Sequence, residues 1–120
     1  MIKSEKLMAG DIVLIKFPFT NLKSEKKRPS LILNCSHFSK SIDLVVIAMI
    51  TSKLDGLKLK GDLLLQDWAN AGLLHPSLLR LSKIATLESE LIERKLGILS
   101  SKDQKLVKQV FQGLFAHWIK

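Results

Sequence analysis

Runs of apolar residues separated by polar turns dominate the first two thirds of the chain. The segment Asp11–Phe17 is rich in apolar and β-branched residues and is bounded by Gly10 and Pro18, which is typical of a buried strand. The segment Leu44–Ile50 is apolar at every position and predicts a second strand, which ends at the polar residues Thr51–Lys53. Both strands are expected to be largely buried.

Less regular patterns predict the remaining strands and turns. The stretches with strand character are 30–34, 58–66 and 78–87, and the pattern at 91–96 does not distinguish strand from helix. The residues from Pro18 to Pro29 are polar and basic and predict a long loop, and loops held by a rigid sheet often carry function. Turns are predicted at 36–41 and at Trp68–Gly72, the second closed by its glycine.

The end of the chain predicts a helix. Ser100 can cap its N-terminus, and Asp103 places an acid in the first turn. Apolar residues then recur at three- and four-residue spacing and form one stripe, which comprises Leu106, Val107, Val110, Phe111, Leu114 and Trp118. The stripe, including Trp118, is expected to pack on a core or a second subunit. Several strands followed by a terminal helix predict a mainly β fold, a small barrel capped by helices.

Composition narrows the class of protein. A chain of 120 residues predicts one domain spanning 1–120, and 47% hydrophobic residues are enough to bury a core. Lysine and arginine outnumber aspartate and glutamate by 19 to 11, a net charge of +8. This excess favours a polyanionic partner such as nucleic acid, an acidic protein segment or an anionic membrane face. The alternative is that the positive charge has no binding role and only keeps a small protein soluble.

Cysteine and histidine usage points away from several kinds of site. Cys35 is the single cysteine, so neither an internal disulfide nor a cysteine zinc site is expected, and we assign it a packing role. His37, His75 and His117 lie far apart without metal-ligand spacing, so we expect surface or structural roles, no metal and no cofactor. The sequence has no signal-peptide pattern and no apolar stretch of roughly 20 residues, which predicts a cytoplasmic protein without membrane association.

The candidate chemistry lies where a basic segment faces a strand end. Lys26, Lys27 and Arg28 end the predicted loop, and Thr51 ends the predicted strand. An arginine offers a fixed fork of donors that matches two phosphate oxygens, and a threonine hydroxyl adds one well-held donor. Together they could bind a phosphodiester as negative charge develops on it. A solvated basic loop beside a strand-capping hydroxyl is the alternative explanation.

The order and spacing of several short motifs resemble the MazF/PemK family of toxins, over nearly the whole chain. The segments that carry the resemblance are Gly10–Leu22, Lys27–Leu33, 44–50 with Thr51-Ser52, Ala71-Gly72-Leu73 with Pro76-Ser77, Arg80, Lys83–Leu87 and Leu96–Ser100. The resemblance implies an SH3-like barrel with a C-terminal helix and short helical turns, usually paired as a homodimer. It also implies a toxin of a type II toxin–antitoxin system that cuts single-stranded messenger RNA and so inhibits translation and growth.

The resemblance also implies site residues. The catalytic arginine and threonine of the family fall on Arg28 and Thr51. Ser24-Glu25 is similar to a serine–glutamate pair of members with longer loops, which makes Glu25 a candidate base, although the loop here is shorter, and His37 is a remote substitute. The residues expected to bind RNA are Lys23, Ser24, Lys26, Lys27, Ser52 and Lys53, with Phe19 as a base-stacking candidate.

Such a site needs no metal, because the 2′-hydroxyl of RNA can attack the adjacent phosphorus. The products would be a 2′,3′-cyclic phosphate and a free 5′-hydroxyl, and Arg28 would stabilise the phosphorane between them. Glu25, if the short loop delivers it, would manage a proton, since arginine holds its own too firmly to act as an ordinary base.

Two other functions remain open. CcdB, a gyrase poison regarded as sharing this fold, acts through a C-terminal tryptophan, and this chain ends in Ala116–Lys120 with Trp118 among them. A catalytically weak relative that only binds its antitoxin and operator DNA is the third possibility. The expected partners are single-stranded RNA, an acidic antitoxin and a second copy of the chain. Operator DNA is expected only through the antitoxin.

Overall fold

The computed structural model describes residues 6–17, 26–37 and 43–119, with His37 described by its backbone only. It is built from six strands, one short 3₁₀ turn and one helix. In chain order these are β1 (Asp11–Phe17), β2 (Lys26–His37), β3 (Asp43–Thr51), β4 (Asp62–Leu64), β5 (Leu78–Glu88), the 3₁₀ turn Ser89–Leu91, β6 (Ile92–Ile98) and α1 (Ser101–Leu114). The predicted mainly β fold with a C-terminal helix is confirmed.

The strands predicted from apolar runs are confirmed, and those predicted from weaker patterns differ in length. β1 has the predicted bounds, and β3 extends Leu44–Ile50 by one residue at each end. β4 covers only Asp62–Leu64 of the predicted stretch 58–66, because only these residues pair with β5. Of the ambiguous segment 91–96, residues 92–96 belong to β6, which pairs with β1, and Leu91 ends the 3₁₀ turn before it.

β2 differs most from its prediction. It extends from Lys26 to His37, so Arg28 lies on a strand and the predicted loop ends before it. The predicted turn at 36–41 is wrong at its start, because Ser36 and His37 pair with β3. Ladder partners on both sides explain the extra length: Lys26 pairs with Phe17 of β1, and His37 pairs with Asp43 of β3. Tertiary pairing here overrides weak local strand preference.

The six strands form one antiparallel sheet in the order β4-β5-β3-β2-β1-β6. β5 and β6 are four strand spacings apart in this order, about 19 Å in a flat sheet. The 3₁₀ turn that joins them has three residues and spans only about 6 Å. The sheet must therefore roll up to bring β5 and β6 together, which gives the barrel-like shape. Within the described ranges no pairing joins β4 to β6, so the roll is open at that edge.

Two hydrophobic clusters line opposite faces of the rolled sheet, as the alternation of side chains along β1 requires. Ile12 belongs to the first cluster, on which Val107, Val110, Phe111 and Leu114 of α1 pack. The second cluster contains the next residues of β1 with the opposite orientation and parts of the neighbouring strands, namely Val13, Ile15, Phe17, Ile32, Val45, Ile47 and Ile92.

α1 begins at the predicted cap. The Ser100 hydroxyl accepts a hydrogen bond from the Asp103 backbone N–H at 3.1 Å and donates to the Asp67 carboxylate at 2.7 Å. The Asp103 side chain is fully buried and accepts from the backbone N–H groups of Gln66 and Asp67, at 2.9 and 2.8 Å. Cap and carboxylate together fix the helix start to the segment that precedes β5. No helix in the described part of the chain has the length and apolar character needed to cross a bilayer.

Two residues that were given packing roles from the sequence do not lie in the core of this chain. Trp118 lies beyond the end of α1 and is 82% exposed, and its ring contacts only the edge of His117 among the ring contacts described. Cys35 is exposed on β2 and does not fill the core. Partial desolvation, with the carboxylates of Asp11 and Asp43, raises the pKa of the Cys35 thiol. The thiol therefore stays protonated at neutral pH and is a poor nucleophile.

The turn at 71–73 crosses β6 with backbone directly against backbone. Gly72 has a left-handed φ of 86°, and a Cβ built on it would lie 2.7 Å from the Leu96 carbonyl carbon. A Cβ on Gly97 would lie 2.6 Å from the Ala71 carbonyl carbon. Real Cβ atoms do not come this close to a backbone, so both glycines are required by the crossing.

We expect Gly97→Ala to lower the free energy of unfolding by at least about 2 kcal/mol, because the new methyl group must push two backbones apart. Gly113→Ala is the matched control: it adds the same methyl group where nothing lies within 4 Å, in the last turn of α1. That change should stabilise the protein by about 0.5–1 kcal/mol. Urea unfolding measures both. If the two substitutions changed the free energy of unfolding equally, the close backbone contact between the turn at 71–73 and β6 would be contradicted.

Candidate functional site

A cleft opens where β2 and β3 separate. Their antiparallel pairing in the described residues ends at Ser30 and Met49. Beyond this point β2 remains paired with β1 as far as Lys26, while β3 remains paired with β5 as far as Thr51. Arg28 and Thr51 each lie two residues past the last β2–β3 pair, on the two strands that have separated. The register therefore places both predicted residues at the same end of the sheet.

A cavity of about 500 Å³ occupies this cleft. Its walls come from β1, β2, β3, β6 and the segment between β4 and β5. The polar residues that line it are Lys27, Arg28, Thr51, Ser52, His75, Ser77 and Arg94, and the others are Leu14, Pro29, Ile50, Gly72, Leu73, Leu74 and Leu96. The close contact between the turn at 71–73 and β6 closes one side of the cavity, because Gly72 of the turn and Leu96 of β6 both line it.

The sequence-predicted site residues divide into four groups. Lys27, Arg28, Thr51 and Ser52 line the cavity together. Lys26, the first residue of β2, and Lys53, two residues after the end of β3, are exposed and do not line the cavity. Phe19, Lys23, Ser24 and Glu25 lie outside the described residues. His37 ends β2 at the opposite end from Arg28, so its backbone position removes it from this site.

Thr51 is the last residue of β3, and the turn that follows orients its hydroxyl. The Thr51 Oγ1 accepts a hydrogen bond from the backbone N–H of Lys53 at 3.1 Å. A threonine hydroxyl that accepts one bond keeps its own hydrogen as a donor. The group can therefore donate to an anion bound in the cavity while the turn holds its position.

The three arginines of the chain differ in how their guanidinium groups are satisfied. Arg80 bonds the Leu57 carbonyl and lies 3.4 Å from the Asp62 carboxylate, so it serves to hold the segment before β4. Arg28 and Arg94 have no hydrogen bond or ion pair with any residue the structure describes. Both line the cavity, where an anion would complete their hydrogen bonding.

Lys27 is held at the rim by a carboxylate. Its Nζ lies 2.8 Å from Oε1 of Glu93 on β6, and the Nζ of Lys16 lies 3.9 Å from the same oxygen. The hydrogen bond from Lys27 is the main cause that lowers the pKa of Glu93, with the charges of Lys27, Lys16 and Arg94 adding to it. A lowered carboxyl pKa means that the pair is intact at neutral pH and is lost only as the pH falls through that value.

Sequence reasoning missed three polar residues of the cavity. Arg94 reaches it because β6 pairs with β1, where Arg94 stands opposite Leu14. His75 and Ser77 reach it because the turn at Gly72 directs the following residues back towards β3. The Ser77 hydroxyl donates to the His75 carbonyl at 2.7 Å and ties this segment together. The only sequence signal for His75 and Ser77 was that they adjoin or belong to the motif Ala71-Gly72-Leu73 with Pro76-Ser77.

Comparison with known proteins decides the family. Residues 8–115 match the family model described as PemK-like, MazF-like toxin of type II toxin–antitoxin system. The chain belongs to this toxin family. The match spans every element from β1 to α1, and it confirms the resemblance drawn from the sequence motifs. No curated protein matches the sequence significantly.

Solved structures show the same fold. One is titled an endoribonuclease in complex with its cognate antitoxin from a mycobacterial species, with a TM-score of 0.66 at 13% identity over 92% of this chain and 96% of that chain. Another is the Mycobacterium tuberculosis toxin MazF-mt6, with a TM-score of 0.62 at 21% identity over 88% of this chain and 96% of that one. The basic cavity of this family member therefore sits on a toxin fold that covers nearly the whole chain.

Proposed function

We propose that this toxin is an endoribonuclease that cuts single-stranded messenger RNA without a metal ion and thereby inhibits translation and growth. The observation that carries the proposal is the cavity at the β2–β3 separation, which is lined by Thr51 and by two arginines, Arg28 and Arg94, that have no hydrogen bond or ion pair with any described residue. One similar structure is titled an endoribonuclease, and the family is one of toxins. A phosphodiester supplies the anionic oxygens that this donor set lacks.

The charges of the cavity suit a reaction that builds negative charge on phosphorus. Lys27, Arg28 and Arg94 line it, and no carboxylate does so among the described residues. When a 2′-hydroxyl attacks, the crowded phosphorane carries more charge on its oxygens than the starting diester. Fixed donors aimed at those oxygens stabilise this state more than the ground state. Arg28 can bind both non-bridging oxygens at once, and Thr51 can donate a further hydrogen bond to one of them.

We expect Arg28→Ala to reduce the cleavage rate at saturating RNA about a hundredfold or more, the loss typical of removing an oxyanion donor. Arg28→Lys should restore only part of the rate, because an ammonium group cannot reproduce the two-pronged guanidinium. The measurement is cleavage of single-stranded RNA in EDTA, with circular dichroism to confirm folding.

Lys26→Ala is the matched control, since Lys26 is exposed on the same strand outside the cavity. It should weaken RNA binding modestly and flatten its dependence on salt, with little change in the maximal rate. An Arg28→Ala protein that cuts RNA as fast as the parent would contradict the assignment of this site.

The exposure of Trp118 favours one alternative, a toxin that binds gyrase through its C-terminus. The ring is 82% exposed and lies beyond α1, so it is accessible to a partner. The same assay separates the two functions: RNA cleavage in EDTA supports the nuclease. Trapping of gyrase without RNA cleavage, abolished by Trp118→Ala, would support the alternative.

The cavity also fits an acidic antitoxin. One similar structure is titled a complex with a cognate antitoxin. A net charge of +8 and a cavity lined by three cationic side chains match a disordered, acidic segment that occupies the RNA site. Operator DNA would then be reached only through the antitoxin.

We expect a small reading frame beside the gene whose product has a net-negative C-terminal half and inhibits cleavage when added in equal amount. Inhibition should weaken at high salt, because screening reduces the attraction between exposed charges. A neighbourhood that encodes no such product would count strongly against the antitoxin.

A second surface supports a homodimer. An apolar groove of about 550 Å³ runs between α1 and the sheet, and its lining includes Leu33, Val46, Ile84, Val107 and Phe111. Ile84 is 39% exposed although it lies in the middle of β5. A second copy of the chain would cover this apolar surface, as paired subunits usually do.

We expect light scattering to give the mass of a dimer at micromolar concentration, and Ile84→Glu to shift it towards the monomer because a buried charge opposes association. Leu57→Glu is the control: Leu57 is 78% exposed in the segment before β4 and outside the groove. A parent protein that stays monomeric at high micromolar concentration would rule out this interface.

A further inference from the structure

The cavity is rich in hydrogen-bond donors and poor in groups that can accept a proton. Arginine and lysine side chains hold their protons at neutral pH, and serine and threonine hydroxyls are weak bases. Of the described residues that line the cavity, only His75 has a side chain whose neutral form carries a ring nitrogen able to accept a proton. The reaction proposed above must remove a proton from a 2′-hydroxyl.

We propose that His75 is the general base of the cleavage reaction, an inference that rests on the proposed nuclease function. His75 is a residue that sequence analysis assigned to a surface or structural role. The structure places it among the residues that line one cavity, together with Ser77, Arg28 and Thr51.

The backbone at His75 is fixed while its imidazole remains available. The Ser77 hydroxyl donates to the His75 carbonyl at 2.7 Å, and Pro76 restricts the backbone of the residue before it. Leu73 just upstream bonds through its N–H to the Trp68 carbonyl at 3.1 Å. The imidazole is exposed and makes no hydrogen bond or ion pair within the described ranges. A group held in this way can reach a bound strand without first giving up a protein contact.

Glu93, the carboxylate that holds Lys27 at the rim of the cavity, is a poorer base. Glu93 accepts a hydrogen bond from Lys27 at 2.8 Å, and this bond lowers its pKa. A carboxylate with a lowered pKa has little affinity for the proton of a hydroxyl group, and taking that proton would break the ion pair. Glu93 also does not line the cavity. It is better suited to holding Lys27 in place.

The proposed step forms one bond and breaks one. The 2′-oxygen bonds to phosphorus as the bond from phosphorus to the 5′-oxygen breaks. The 2′-hydroxyl proton passes to the neutral imidazole of His75. The 5′-oxygen takes a proton from water, and the imidazolium returns its proton to the hydroxide so formed, which restores the neutral base. Arg28 and Thr51 hold the non-bridging oxygens throughout.

The test is the maximal cleavage rate in EDTA as a function of pH for the parent, His75→Gln and His75→Ala. The rate of the parent should fall as the pH is lowered enough to protonate the ring, because a protonated imidazole cannot accept a proton. Both variants should be slower by about a hundredfold and should lack this fall. Added imidazole should restore part of the rate of His75→Ala. His117→Gln is the control, since His117 lies beyond α1 against Trp118, and it should behave as the parent.

The outcomes separate this inference from the proposed function. If the parent does not cut RNA, the nuclease function itself is wrong. If Arg28→Ala loses activity while His75→Gln keeps the rate and pH profile of the parent, the nuclease stands and His75 is not its base. Loss of the acid limb in Glu25→Gln instead of His75→Gln would assign the proton to Glu25 and overturn the proposal.

Discussion

The contact between two bare backbones, at Gly72 and Gly97, is the constraint on which the site depends. It brings the turn at 71–73 against β6 so closely that no side chain fits between them. As a result, two segments that are distant in sequence both line the cavity. Arg94 belongs to β6, and His75 follows the turn at 71–73. A looser crossing would leave the strands in place but would separate these two groups from Arg28.

The rolled sheet supplies the other half of the site. Strands that stay paired to their ends leave no space between them, whereas β2 and β3 separate after Ser30 and Met49 and follow different neighbours. The separation exposes side chains at the end of a sheet that is well packed elsewhere. Arg80 has a structural role, since its guanidinium bonds to the Leu57 carbonyl and pairs with the Asp62 carboxylate. Among the described residues, Arg28 and Arg94 have no such hydrogen-bond or ion-pair partner, and both line the cavity.

The elements that were predicted correctly are those determined by residues close together in sequence. The apolar runs of β1 and β3, the Ser100 cap and the start of α1 are all set by residues close together in sequence, and Arg28 and Thr51 followed from motifs at strand ends. Other features depend on contacts between segments that are distant in sequence, which a short stretch of sequence does not contain. These features are the full length of β2, the identity of β6 as a strand, and the presence of Arg94 and His75 in the cavity. Trp118 does not reach the core because the helix ends before it, although the helical spacing continues in the sequence. Cys35 was misassigned because its apolar neighbours in sequence lie on an exposed part of β2.

The anchoring of α1 is one-sided, and this has a consequence for the groove beside it. The buried Asp103 carboxylate ties down the first turn, whereas the last turn contains the exposed Gly113 and no basic side chain. Helix opening should therefore begin at the C-terminal end and run backwards, so that amide hydrogens after 110 exchange with solvent first and those near Asp103 last. Phe111, which lines the apolar groove, stands on the end that frays, whereas Val107, which also lines it, lies in the middle of the helix. Whatever occupies that groove will slow exchange along the helix without touching the basic cavity, and amide exchange thus reports on the two surfaces independently.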